Sequence, residues 1–349
     1  MTRSLGVIGA AALLAVAAAA SLAIGPVQIG PQRIIEVAAA AYQAGGRAGL
    51  PPDMIRDAAI LADIRAPRTL VGAMVGAAMA LAGAVMQGMF RNPLADPGLV
   101  GVSSGAALAA VCWIVLGEGV IAHLSPGAAA LGLPIAAFFG GLLTTLLLAR
   151  IAMRDGRTEI AVMLLAGVAL GALASAGTGL LVFMARDDQL RTFLFWTLGS
   201  LGGATWTKAW LAAPFVLALI AAAPFLARGL DAVALGERAA FHAGTDVERL
   251  KRVAVIGVAA ATAAAVASAG AIGFVGLAAP HLVRLAIGPA HRALLPASAL
   301  LGAALLLLSD VAARTVAAPA ELPIGVVTAA FGAPFFLWLL MRRRGRMVG

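Results

Sequence analysis

The sequence predicts an all-α polytopic membrane protein with ten transmembrane helices, and three observations carry that prediction. Hydrophobic residues fill 62% of the 349 positions and charged residues only 12%. The apolar residues fall in about ten runs, most of them near the roughly 20 residues needed to cross a hydrocarbon core about 30 Å thick. Almost every charge lies in the gaps between the runs. Lipid offers the backbone no hydrogen-bond partner, so such runs must close their own bonds as helices packed in a bundle.

The first run, 5–25, follows Arg3 and ends in alanines. It reads as a retained helix, with a signal peptide as the alternative. The second span, 69–90, comes after a polar stretch that ends in Arg65 and Arg68. Phe90-Arg-Asn-Pro-Leu-Ala-Asp-Pro-Gly98 then forms a corner. Pro93 disfavours helix at Asn92, Asp96 is placed to cap the next helix, and Pro97 suits a first turn, where its missing N–H costs nothing.

The third, fourth and fifth spans are 98–116, 132–150 and 160–185. The loop Arg157-Thr158-Glu159 and the start of the fifth span are gate suspects. Gln189 to Leu201 lies between the fifth span and the sixth, 209–227, with Trp196 suited to the headgroup region. A polar segment, 231–251, follows. From Val253 to Val283 there is no Asp, Glu, Lys or Arg. One helix would be too long for this stretch, so it divides at Gly270 into spans 253–270 and 272–287. Spans 293–313 and 324–341 complete the bundle. Gly98-Leu-Val-Gly-Val102 and Gly273-Phe-Val-Gly-Leu277 open the third and eighth spans from opposite sides, a faint inverted repeat of the kind found in transporters.

With ten crossings, sixteen of the 25 Lys and Arg residues, among them Arg342 to Arg346, fall on the side of the termini and nine on the other. Basic residues collect in cytoplasmic loops, so both termini are expected in the cytoplasm. The same rule accounts for the net charge of +9 without nucleic acid as a partner. The single cysteine, Cys112, allows no intramolecular disulfide. There is no CxxC, HExxH or phosphate-binding glycine loop, hence no candidate catalytic or metal-ligating residue. The 41 glycines suit helices whose backbones approach closely.

Several motifs occur in order: Ile64-Arg-Ala-Pro-Arg68, Gly83-Ala-Val-Met-Gln87, the Arg91-Asn-Pro-Leu-Ala-Asp-Pro97 corner, Leu165-Ala-Gly-Val-Ala-Leu-Gly171, Leu235-Gly-Glu-Arg-Ala239, Gly273-Phe-Val-Gly-Leu-Ala-Ala-Pro-His-Leu-Val-Arg284 and Ala320-Glu-Leu-Pro-Ile-Gly325. From about residue 60 onward the chain closely resembles the FecCD family, the permease subunits of bacterial ABC importers for iron–siderophores, haem and cobalamin. The resemblance implies a ten-helix permease of the type II, cobalamin-importer architecture, working as a homodimer in the inner membrane. It also implies two cytoplasmic ATPase subunits, which carry ATP and Mg²⁺, and a periplasmic binding protein. No cofactor is expected in this chain. The Phe195-Trp-Thr-Leu-Gly-Ser-Leu201 stretch and the corner look most like haem-importing members.

By that resemblance the segment 231–251 seats in a cleft of the ATPase as two short helices. Leu235, Gly236, Glu237, Arg238, Ala239 and Gly244 are its expected coupling residues, and Glu237 and Arg238 its named contacts. Arginines matching Arg65, Arg68 and Arg314 meet carboxylates on the binding protein, although Asp310, four residues before Arg314, offers that arginine an internal partner. A secondary transporter driven by an ion gradient is the alternative from another class. The shortage of charged groups within the spans speaks against it.

Overall fold

A computed structural model describes residues 2–154 and 157–344; Arg346 of the expected C-terminal cluster lies outside them. The chain opens with α1 (Thr2–Ala23), α2 (Pro31–Gln43) and α3 (Pro52–Ala59). Through a π-helical turn, Ile60–Arg65, α3 continues into α4 (Ala66–Met89). Then come α5 (Val102–Leu116), α6 (Glu118–Ile121), α7 (Pro126–Ile151) and a two-stranded ladder of β1 (Met153–Arg154) and β2 (Arg157–Thr158). The rest is α8 (Ile160–Met184), α9 (Asp187–Thr197), α10 (Trp206–Ala234), α11 (Glu237–His242), α12 (Val247–Ala269), α13 (Val275–Ile287), α14 (His291–Thr315) and α15 (Ile324–Arg344). Among the described residues, seven helices are long and apolar enough to cross a membrane and three shorter apolar ones accompany them.

Two faces of the bundle are fixed by contacts. Gly6, early in α1, lies against Ile287 at the end of α13, which defines a near face. At the far face the end of α1 meets Arg65, just before α4, and Arg314 at the end of α14.

The core forms around α4, whose residues from Val75 to Met89 are nearly all buried. Close approach rather than bulk makes this packing possible. A Cβ on Gly76 would lie 2.4 Å from the Gly302 carbonyl oxygen, and one on Gly302 would lie 2.5 Å from that of Gly76. Gly105 and Gly140 repeat the arrangement between α5 and α7, each 2.5 Å from the other's carbonyl by the same measure. Small residues at such crossings let dispersion contacts replace the hydrophobic drive that lipid removes.

The apolar stretch from Val253 to Val283 does break at Gly270, but its second half does not start at the far face. After α12 the backbone runs irregularly through Gly270 to Phe274, with Phe274 at φ 67°. α13 starts beside Gly83 and Pro97, well inside the bundle: a Cβ on Gly276 would sit 3.1 Å from Pro97. The two openings of the faint repeat therefore lie against each other. Non-helical backbone at such depth needs protein around it. Here the loop after α9 and the start of α15 provide it: Ser200 donates to the Ala269 carbonyl at 2.8 Å, and Ile324 and Gly325 donate to Gly199 and Leu198 at 3.0 Å.

Two further local expectations shift. Asp96 accepts the Gly98 N–H at 2.7 Å, so it caps a 3₁₀ turn, Pro97–Val100, rather than α5. Left-handed Gly101, φ 77°, separates that turn from the helix. The segment 231–251 is largely helical, because α10 and α12 continue past their apolar stretches and leave only α11 with its flanking turns between them.

Candidate coupling and docking faces

At the near face, Gly236 (φ 115°) and Gly244 (φ 81°) bracket α11 and permit its sharp entry and exit. Ala240 is buried beneath the helix, while Leu235 is 82% and Phe241 70% exposed. Arg238 and Ala239 are exposed beside them. Two large apolar side chains next to an exposed guanidinium, on the polar rim of a membrane protein, form a surface suited to a socket in another protein. A cleft of about 800 Å³ opens alongside, lined by Arg157, Glu237, Arg238, Phe241, His242 and Glu248 among others.

Glu237 points the other way. Its carboxylate accepts from Lys251 Nζ at 2.9 Å, and Lys251 is only 3% exposed. The same ammonium donates to the Thr158 carbonyl at 3.0 Å and to Glu248 at 3.2 Å. Glu248 closes the circuit by accepting the Thr158 N–H at 2.9 Å. One buried lysine, with all three donors used, thus joins α11, α12 and the hairpin that leads into α8. Sequence reading counted Lys251 only as a basic loop residue. The available signal was its spacing: Glu248 lies three residues earlier on the same helix, and lysine is rare in this chain, occurring only at 208 and 251.

At the far face, Arg65, Arg68 and Arg314 come together, but all three are buried, at 3%, 7% and 3% exposure. Arg65 Nη1 donates to the carbonyls of Leu22 at 2.5 Å and Ala23 at 2.9 Å, and Nη2 donates to that of Val27. It acts as the C-terminal cap of α1, where orphan carbonyls and the negative end of the helix dipole favour a cation. Arg68 grips Asp310 at 2.8 Å and Glu321 at 2.9 Å. Arg314 donates to the Ser21 carbonyl at 2.8 Å and lies 3.5 Å from Asp310. The expected Asp310–Arg314 pair is present, but Arg68 is the closer partner. Two arginines and two carboxylates make a neutral cluster, the condition under which charge survives burial. None of the three arginines offers a free guanidinium at the surface, because each is committed to internal acceptors.

The rest of the far face is laced with exposed pairs. Arg33 bonds Asp53 and Asp57, tying α2 to α3. Arg186 reaches Glu118 at 2.5 Å and Asp188 at 3.2 Å, holding α9 against α6. Its guanidinium keeps both carboxyls below their usual range. Gln189 adds a hydrogen bond to the Ile114 carbonyl at 3.1 Å. α9 lies between the fifth and sixth spans, and Trp196 stacks on Phe193 with centroids 6.5 Å apart.

His281 is buried in α13 against Phe335 and Phe336 of α15. Among the described residues no group of three or more His, Cys, Asp or Glu side chains could hold a metal ion.

The model of the FecCD transport family matches residues 13–342. The haemin transport system permease HmuU of Yersinia pestis is 43% identical over 287 residues, 82% of this chain and 84% of that protein. The cobalamin import system permease BtuC of Halobacterium salinarum is 42% identical over 287 residues, 82% of this chain and 74% of that protein. A solved metal-chelate type ABC transporter in an inward-facing conformation superposes with a TM-score of 0.79 at 30% identity, covering 96% of this chain and 98% of its own.

Proposed function

The chain belongs to the FecCD transport family and is an ABC importer permease of the BtuC and HmuU type; from that premise we propose that it carries haem from a periplasmic binding protein across the bacterial inner membrane. It works as a homodimer with two cytoplasmic ATPase subunits, which hold ATP and Mg²⁺, and both termini face the cytoplasm. The near face is then cytoplasmic and the far face periplasmic.

The observation that carries this reading is α11: a short glycine-bracketed helix with Leu235 and Phe241 bared, fastened beneath by Glu237 to Lys251. Such a helix can transmit force only if a partner seats on it. Leu235, Gly236, Arg238, Ala239 and Gly244 form the seated surface, and Glu237 holds its underside. Motion of α11 passes through Lys251 to the 153–158 hairpin and the start of α8. On the far face, Arg65, Arg68 and Arg314 brace the surface on which the binding protein rests.

The buried charges support a motor outside this chain. Arg68, Asp310, Arg314 and Glu321 close on one another at one end and make no file of titrating groups through the bundle. Haem as cargo rests on the likeness to the haemin permease and on the Phe195–Leu201 stretch. Cobalamin is a second reading, favoured by the comparable identity of the cobalamin permeases.

Reconstitution in proteoliposomes with the ATPase and binding protein tests all of this. Haem uptake should require ATP and survive collapse of the proton gradient. Accumulation driven by a gradient, in this chain alone, would overturn the importer reading. ATP-dependent uptake of cobalamin without haem would replace the cargo.

A further inference from the structure

At the near face, α4, α10, α13 and α14 enclose a second cleft, of about 550 Å³, whose polar lining is Gln87, Arg91, Asn92, Asp231, His281, Arg284 and His291. Leu285, Pro289, Ala290 and Ala234 give it apolar walls. It lies apart from α11 and from the Lys251 circuit.

Arg284, in the last turn of α13, is the unusual group here. Its Nη2 donates to Gln87 Oε1 at 3.1 Å, while its Nη1 is buried and, among the described residues, has no hydrogen-bond partner. Among the described residues no carboxylate pairs with it. The one acid in the lining, Asp231, is already engaged: its Oδ1 accepts the His291 N–H at 2.9 Å and lies 2.7 Å from His291 Nδ1. Arg91 lines the rim and is exposed, with a left-handed backbone at φ 49°.

A desolvated guanidinium without a counter-charge is expensive, and a buried donor without an acceptor calls for one from outside the chain. The position narrows the choice. The cleft sits where α4 ends and α14 begins, the depth at which a span leaves the hydrocarbon for the headgroups. Guanidinium forks match phosphate oxygens in pairs.

We propose that this cleft binds a phosphate group, with Arg284 donating from within through its free Nη1 and Arg91 closing over it from the rim. The group arrives on an anionic phospholipid or as inorganic phosphate. Either supplies the oxygens that complete Arg284.

The test uses the full chain, purified in neutral detergent, with three probes read by native mass spectrometry: dioctanoyl phosphatidylglycerol, inorganic phosphate and dioctanoylglycerol, which lacks the phosphate. Saturable binding of a phosphate-bearing probe is expected, weakened about tenfold by Arg91→Gln or Arg284→Gln. Arg284→Lys should recover part of the loss, and Arg191→Gln at the far face should change nothing. Arg91 is exposed, so its variant tests the site even if Arg284→Gln fails to fold. Competition by inorganic phosphate identifies the free ion as ligand; lipid binding that phosphate does not displace identifies the headgroup. Three outcomes would each overturn the proposal: no binding of either phosphate probe, equal binding of dioctanoylglycerol, or full affinity in both glutamine variants.

Discussion

Lys251 holds Glu237 at 2.9 Å with one hydrogen of its ammonium and the Thr158 carbonyl at 3.0 Å with another, so α11 and the hairpin that leads into α8 share one buried cation. Glu237 and Thr158 are nearly eighty residues apart in the chain, and among the described residues Lys251 and its neighbour Glu248 link them.

Lys251→Met keeps the length of the side chain and removes the charge. It should loosen the hairpin by about 1–3 kcal/mol, discounted because both glutamates are partly exposed. The permease should still assemble with its ATPase, but cargo moved per ATP hydrolysed should fall in proteoliposomes. Lys251→Arg should restore much of the ratio. An unchanged ratio in Lys251→Met would remove the circuit from coupling.

Glu237 and Arg238 are neighbours with opposite duties. Glu237→Lys sets two ammonium groups face to face and should lower the stability of the isolated permease. Arg238→Glu and Phe241→Asp alter only exposed groups. They should leave the melting temperature within about 2 °C, a surface-substitution effect, while weakening ATPase association in a pull-down.

Asp310 pairs with both Arg68 and Arg314 from a site 1% exposed. Asp310→Ala leaves Arg68 and Arg314 with Glu321 as their one remaining acid and should cost about 3–5 kcal/mol, read as a lower midpoint in denaturant. Because Asp310 and both arginines are buried, raising salt should change that midpoint little, unlike the exposed Arg33–Asp53 pair.

Gly76→Ala would place a methyl 2.4 Å from the Gly302 carbonyl oxygen, forcing α4 and α14 apart. A loss of about 1–3 kcal/mol or more is expected. Gly9→Ala, where nothing stands within 4 Å, serves as the control and should be neutral or slightly stabilising.

The contact of α9 with α6 has a calculable response to acid. Arg186 holds the carboxyls of Glu118 and Asp188 below their ordinary values. A carboxyl depressed in the folded state lends stability above its unfolded pKa and loses it as pH falls through the folded one. Hydrogen-exchange protection of Asp187–Thr197, corrected for intrinsic rate, should therefore be flat from neutrality down to about pH 4 and decline below it. Glu118→Gln should flatten part of that decline.

The apolar runs were legible because a membrane demands one simple property over many residues, and the division at Gly270 followed from length alone. The depth at which α13 starts was not legible, since nothing in Gly273-Phe-Val-Gly distinguishes a helix that begins at the surface from one that begins against Pro97. Arg65, Arg68 and Arg314 were recognisable as a set, yet their direction depended on Ser21, Asp310 and Glu321, which distant parts of the chain bring to them. α2 and α3 went unread because they carry no long apolar run and lie outside the bundle. Lys251 was missed for a similar reason: its partners Thr158 and Glu237 belong to two other elements, so local sequence showed only Glu248.

The far-face arginines also set a timing problem during synthesis. Arg68 precedes Asp310 by 242 residues and Glu321 by 253. At ribosomal speeds of about 5–20 residues per second, it must wait on the order of ten to fifty seconds for either acid to emerge. Until then its guanidinium has to find water or lipid headgroups at the membrane edge. The nascent second crossing therefore keeps an unneutralised cation at its outer end until the ninth arrives.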